Sequence, residues 1–338
     1  MTTIKDIAKV AGVSITTVSR ALNGYSDVNE KTRQKIMNVA KELNYSPNTL
    51  ARGLVMQKSK TIGLLVSGIS RESVKDNFTF EVLCGVNERA SLLGYDLILF
   101  NTNTTKQREK TYTQLCKERR VDGAIIQGIK KDDPYLTEVL ESNIPCVLVD
   151  IPIRSDLVGY VTTDNKLGAK KAVEHLVQLG HVHIGMINGS EDAFVSQERL
   201  KGYLDTLEEH GIDIRQSWIV NGEFEEAVAE QQAYELLKAN EEITSLFCAS
   251  DLMALGALKA CKRLGRRVPD QISIVGYDNI MLAAYSSPQL TTVGQEVYQI
   301  GYEAADLLIE ILENRSTNME RYLETELIIR ETTAKSHK

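Results

Sequence analysis

The side chains of this chain whose types and spacing can do chemistry fall into two groups. The first lies in TIKDIAKVAGVSITTVSRALN, residues 3–23. With Ser14 as a helix N-cap and about 100° per residue, Val18, Ala21 and Leu22 turn inward, while Thr16, Ser19 and Arg20 turn outward, flanked by Ile15 and Thr17. Hydroxyls and a guanidinium near the N-terminal end of an exposed helix can reach base edges in a major groove, and Ile15 offers apolar contact to a thymine methyl. The second group stands at the carboxyl ends of apolar runs: Asp150 after IPCVLV, Asp164 after YVTT, Ser250 and Asp251 after SLFCA, and Asp278 after ISIVGY. Arg199, in SQERLKG, starts a helix after a loop of the same region. Carboxylates and one forked guanidinium around a cleft provide the acceptors and donors that sugar hydroxyls need. Each acid also has a plainer reading as an N-cap or strand-end acceptor, and for Asp251, first in DLMALGALKA, capping is at least as strong.

Enzyme chemistry finds no foothold in these patterns. GxSxG, HExxH, GxxxxGK[ST] and GxGxxG are all absent. Of the five histidines, His181 and His183 stand closest, but alternate positions at a strand start with no third ligand read as ordinary surface residues rather than a metal site. No cofactor is expected.

The elements that must position these groups follow from periodicity. Ile4, Ile7, Ala8 and Ala11 give one buried helix face, with Thr3 as N-cap and Asp6 three residues on, and Gly12 breaks the helix before Ser14. A third helical pattern runs from about Glu30 to Leu43 with Ile36, Val39, Ala40 and Leu43 inward. Tyr45-Ser46-Pro47 ends it, Asn48 can cap a short helix over Thr49 to Val55, and Gln57 to Lys60 is a polar connector. From Thr61 apolar runs (62–66, 95–101, 121–127, 144–150, 160–163, 183–188, 245–249, 272–277, 290–293) alternate with helical patterns such as 80–93, 166–179, 199–210, 226–239 and 251–264. That alternation predicts an α/β body of parallel sheets covered by helices on both faces, and the strand count predicts two similar subdomains rather than one sheet or a closed barrel.

Composition agrees with a division into a reading module and a body. Of 338 residues, the first 58 hold nine Lys and Arg against four Asp and Glu; the rest hold 30 against 42, and the whole carries −7. A basic module on an acidic body is the layout expected when only the first part touches phosphates. The N-terminus lacks the continuous apolar region of a signal peptide, and no run approaches a membrane span, so a cytoplasmic protein is expected. The five cysteines, odd in number and widely spaced with no CxxC, are expected as buried free thiols in a reducing compartment.

The segment TIKDIAKVAGVSITTVSRALNG resembles the DNA-binding segment of the lactose/galactose repressor (LacI/GalR) family, and the likeness continues in order through VNEKTRQKI, ELNYSPN and ARGL. The resemblance implies a helix-turn-helix headpiece over 1–46 and a hinge helix and linker over 47–59. An effector-binding and dimerisation body of periplasmic-binding-protein type then fills 60–338, its N-lobe 60–160 plus 291–319 and its C-lobe 161–290 plus 320–332. Crossings between lobes fall near Tyr160, Pro288 to Leu290 and Met319 to Tyr322, and the tail from Thr333 is expected to fray. DNA contacts are implied at Ile15, Thr16, Thr17, Ser19, Arg20, Asn23, Ala51 and Leu54, the last as an apolar wedge in the minor groove. Effector contacts are implied at Asp150, Arg199, Phe224, Ser250 and Asp278, with Gln295 at the lobe interface. The purine-responsive branch has polar ligand residues shortly before the Arg, where this chain has Ala193, Phe194 and Val195, which counts against a purine. The expected function is therefore a homodimeric, sugar- or sugar-phosphate-responsive repressor on a pseudo-palindromic operator. The alternatives are a global catabolite-type regulator acting with a phosphoprotein and a secreted sugar-binding protein; the basic headpiece and the absence of an export signal oppose the latter.

Overall fold

A computed structural model describes residues 2–45, 58–67, 77–102, 110–131 and 133–336. The chain divides into two units, residues 1–60 and 61–338. The expected hinge segment, with Ala51 and Leu54, lies outside the described residues.

In the first unit, α1 (Ile4–Ala11), α2 (Ile15–Leu22) and α3 (Glu30–Glu42) close around Ile7, Ala11, Val18, Ala21 and Ile36. The local signals act as their chemistry requires. The Asp6 carboxylate accepts from both the amide and the hydroxyl of Thr3, at 2.8 and 2.7 Å. Gly12 ends α1 at φ 68°, a conformation glycine reaches without strain, and Ser14 accepts from the Thr17 amide at 3.0 Å. Arg33 of α3 donates to the carbonyls of Ala21 and Tyr25, at 3.2 and 2.7 Å, which ties the end of α2 to the third helix.

The second unit consists of two α/β lobes. In the first, β1 (Thr61–Ser67), β2 (Asp96–Thr102), β3 (Gly123–Gln127), β4 (Cys146–Val149), β5 (Val158–Thr163) and the later β11 (Glu320–Leu323) form one sheet in the order β11-β5-β4-β3-β1-β2, every pair parallel. Helices α4 (Phe78–Leu92), α5 (Tyr112–Arg119) and α6 (Pro134–Glu141) connect its strands. In the second, β6 (Ile184–Asn188), β7 (Ile219–Asn221), β8 (Ser245–Cys248), β9 (Ser273–Asp278), β10 (Thr291–Gln295) and β12 (Thr325–Ile328) take the order β12-β10-β9-β8-β6-β7, antiparallel only between β10 and β12. Its helices are α7 (Asn165–Gln178), α8 (Phe194–Glu209), α9 (Glu226–Ala239), α10 (Asp251–Leu264) and α11 (Met281–Tyr285). Helix α12 (Val297–Leu312) returns to the first lobe, where Ile300, Ala304 and Leu308 join its core.

Sheet membership places each crossing a few residues later than expected. β5 stays in the first sheet to Thr163, β10 belongs to the second sheet to Gln295, and β11 belongs to the first sheet to Leu323. Apolar runs mark a strand but carry no sign of which sheet it joins. Two other expectations change. His181 is 3% exposed and held by Thr244, Ser273 and the Ala334 carbonyl at 2.9 to 3.0 Å, so it is a core residue whose imidazolium burial disfavours. The tail is docked rather than frayed as far as Ser336, whose amide donates to the Leu179 carbonyl at 2.8 Å, while the Ala334 amide donates to Ser273 Oγ at 3.0 Å. All five cysteines are free thiols, four of them buried, and burial pushes those of Cys116 and Cys261 up to about 12.

Candidate functional site

The reading face of α2 is open where a groove would meet it. Ile15, 42% exposed, Thr16 and Arg20 are exposed, and Thr17, Ser19 and Asn23 are half-buried. Thr17 Oγ1 and Ser14 Oγ lie 2.8 Å apart, and Asn23 donates to Ser19 Oγ at 3.4 Å. Arg20 is not idle: its Nε and Nη2 reach the Asp27 carboxylate at 3.1 and 2.7 Å, and its guanidinium lies 4.8 Å over the Tyr25 ring. Both partners of that ion pair are about half exposed, so it is worth at most about 1 kcal/mol and exchanges readily for a base edge.

Within the second unit, a cavity of about 830 Å³ opens between the two lobes at the carboxyl ends of their strands. Asp150, Arg199, Phe224, Ser250 and Asp278 all line it. Arg199, 3% exposed, is the organising group. Its Nε donates to Asn165 Oδ1 at 2.8 Å and its Nη1 to the Ala249 carbonyl at 2.5 Å. Its Nη2 stands 3.5 Å from Asp278 Oδ1, and the guanidinium stacks 3.7 Å above the Tyr277 ring. Asp278 also accepts from Gln295 Nε2 at 2.7 Å, and Gln295 Oε1 accepts from Thr163 at 3.0 Å. Gln295 is thus not on the cavity wall; it links the end of β5 in the first lobe to the Asp278 carboxylate of the second.

Asp150 accepts from Thr162 Oγ1 at 2.8 Å, and burial raises its carboxyl above the ordinary value against the opposing pull of Thr162 and Arg199. Asp150, Phe224 and Asp278 have φ of 61°, 59° and 106°, in the left-handed region that costs L residues energy and persists where neighbours over-determine it. The Phe224 ring lies on Gly189, where an added Cβ would come within 2.0 Å of it. Ser250 caps α10 by accepting from the Met253 amide at 3.2 Å while still facing the cavity.

The remaining strand-end acids are structural. Asp164 caps α7 through the Leu167 amide at 2.8 Å. Asp251 is fully buried, accepting from Thr292 at 2.5 Å and from the Ile280 amide at 2.9 Å, and burial holds its carboxyl well above the usual range. Sequence reasoning passed over Gln127, Phe78 and Thr79, which also line the cavity, as do Ala193, Phe194 and Val195 ahead of Arg199. Gln127 was within reach, because it closes the apolar run VDGAII just as Asp150 closes IPCVLV. It is 6% exposed, donates to Thr79 at 3.3 Å and leaves Oε1 without a partner. The Lys131 amide donates to the Asp192 carbonyl at 3.0 Å, and Lys130, which lines the cavity, pairs with the Asp192 carboxylate at 3.4 Å, so both contacts join the two lobes. Among the described residues, no three His, Cys, Asp or Glu side chains stand together as a metal site.

Comparison with known proteins decides the family. Residues 3–48 match the bacterial regulatory proteins of the lacI family, and residues 173–333 match a periplasmic binding protein-like domain. The HTH-type transcriptional repressor PurR of Photobacterium profundum is 35% identical over 334 residues, 98% of either chain. This chain belongs to the LacI family. The lac repressor dimer bound to operator and the anti-inducer ONPF shares the fold at a TM-score of 0.82 and 29% identity, over 98% of this chain and 99% of that one. The CelR–cellobiose complex does so at 0.75 and 29%, over 98% and 100%. The chain is accordingly a helix-turn-helix transcriptional repressor of the LacI family and not an enzyme. Among the described residues, no helix is long and apolar enough to cross a membrane.

Proposed function

We propose that this LacI-family repressor acts in the cytoplasm as a homodimer on a pseudo-palindromic operator, and that a small carbohydrate held between its lobes sets its operator affinity. The observation that carries this reading is the cleft itself: Asp150 from the first lobe and Arg199, Ser250 and Asp278 from the second face one cavity, and Gln295 couples Asp278 to Thr163 across the lobes. A ligand that accepts from Arg199 and donates to carboxylates on both sides binds one lobe arrangement better than another, which is the only way a ligand can shift a conformational equilibrium. The lac repressor and CelR, which share the fold, have operator with ONPF and cellobiose as their respective bound partners. Two-fold pairing gives the headpiece two half-sites, since one reading helix spans only a few base pairs. Thr16, Thr17 and Arg20 then read base edges beside Ile15, with Ser19, Asn23 and Ala51 supporting and Leu54 as the minor-groove wedge.

Asp278→Asn tests the coupling. Asn Oδ1 can still accept from Gln295, and Arg199 keeps Asn165 and the Ala249 carbonyl, so although losing the ion pair lowers the stability of the body, the ligand-free operator affinity should stay within about twofold. The effector response should weaken by about 1.5–3 kcal/mol, because a charged acceptor is lost. Operator titrations with and without the active sugar decide it, and a wild-type response in Asp278→Asn would remove Asp278 from the mechanism.

A further inference from the structure

We infer that the effector is an uncharged carbohydrate of at least two rings, not a sugar phosphate, a uronate or a purine; this rests on the cleft being the effector site. The first argument is charge. Among the described residues, six acidic side chains line the cavity against three basic ones, and each base pairs with a carboxylate: Arg199 with Asp278, Lys259 with Glu226, and Lys130 with Asp192. Arg199 has further spent its Nε and Nη1 on Asn165 and the Ala249 carbonyl and its face on Tyr277. The described lining thus carries an excess of negative charge that opposes a phosphate or carboxylate, and its one buried cation, Arg199, already faces Asp278. Helix N-termini do not make up the difference. Helix α10 carries the buried Asp251 carboxylate in its first turn, and α8 presents Phe194 and Val195 to the cavity.

The second argument is the polar inventory that remains. Asp150 and Asp278 are acceptors on opposite walls, which suits a ligand rich in hydroxyl donors. The third is size and surface. At about 830 Å³ the cavity stands in the upper part of the roughly 300–1,000 Å³ range of small-molecule sites, room for more than one sugar ring. Three phenylalanines divide between the lobes, Phe78 in the first and Phe194 and Phe224 in the second. Rings on both walls give apolar faces on which successive pyranose rings can lie.

The experiment uses the full-length protein and a labelled operator. Cellobiose, maltose, lactose, sucrose, trehalose and the corresponding trisaccharides are titrated beside glucose, glucose 6-phosphate, glucuronate and hypoxanthine. One neutral oligosaccharide should change operator affinity by about tenfold or more. Its Kd should stay within about twofold between about 50 and about 500 mM KCl, because a neutral ligand feels no screened field, and Phe224→Ala should weaken it. The inference is overturned if glucose 6-phosphate, glucuronate or hypoxanthine produces the shift, or if all the neutral oligosaccharides are silent at ~10 mM while operator is still bound. Those outcomes leave the operator-binding reading intact. Loss of operator binding in every condition, with or without compounds, would instead defeat the proposed function.

Discussion

Replacing Arg199 with Ala should destabilise the effector-binding body rather than merely silence the ligand response. The side chain is 3% exposed, and its removal leaves Asn165 Oδ1, the Ala249 carbonyl and the Asp278 carboxylate short of a donor, as well as stripping the face of Tyr277. Breaking a buried ion pair by deleting one partner costs about 3–5 kcal/mol, because the uncompensated charge stays behind. Water entering from the adjoining cavity can re-solvate part of that deficit, which puts the expectation at the lower end. For a unit of this size each 1 kcal/mol moves Tm by about 2–4 °C, so a loss of about 3 kcal/mol should lower the melting temperature by about 6–12 °C. Trp218, the only tryptophan and 2% exposed in the core of the second lobe, reports that unfolding through its fluorescence in urea. Arg199→Lys should be intermediate, keeping the charge and losing the fork. A loss below about 1 kcal/mol in Arg199→Ala would refute the network as described and return Arg199 to a role in ligand contact alone.

Arg20→Ala should cost about 1–3 kcal/mol at the operator and relax preference at one base position, whereas an equal loss on every sequence in a panel would make Arg20 a phosphate contact. Asp150→Asn carries a pH signature. The folded-state carboxyl lies above its unfolded value, so its ionised form costs stability at neutral pH, and that cost is relieved as pH falls through the raised value toward the ordinary ~3.9. Asn should thus equal or exceed wild type in Tm at pH 7, with the gap closing in acid, while effector affinity falls; a lower Tm at pH 7 would contradict it. Gln127→Leu should leave urea stability within about 1 kcal/mol, since it loses only the 3.3 Å bond from Nε2 to Thr79 and removes a buried acceptor that has no partner, and should weaken effector binding by about tenfold. Unchanged binding by calorimetry would place Gln127 outside the ligand's reach.

The headpiece was legible because its determinants are local. Thr3 and Asp6, Gly12, Ser14 and the inward stripe of Ile7, Val18 and Ile36 act within a few residues of one another, so caps and 3.6-residue periodicity specify them before any long-range contact forms. The body's class was equally legible, since apolar runs alternating with amphipathic helices admit little except parallel sheets. What the sequence could not decide was pairing. β5 and β10 read as strands and the β11 segment only as a crossing, yet all three join their sheets through partners that local pattern does not name, up to about 160 residues away, and that choice moves every lobe boundary. The cleft shows the same division. A polar residue closing an apolar run marks Asp150, Asp278, Asp164 and Asp251 alike, yet only the first two face the cavity; the other two are consumed by the Leu167 amide and by Thr292 with Ile280. Which acceptor is left over for a ligand depends on what surrounds it from distant segments, and that is a property of the packed lobes rather than of the run of residues that carries it.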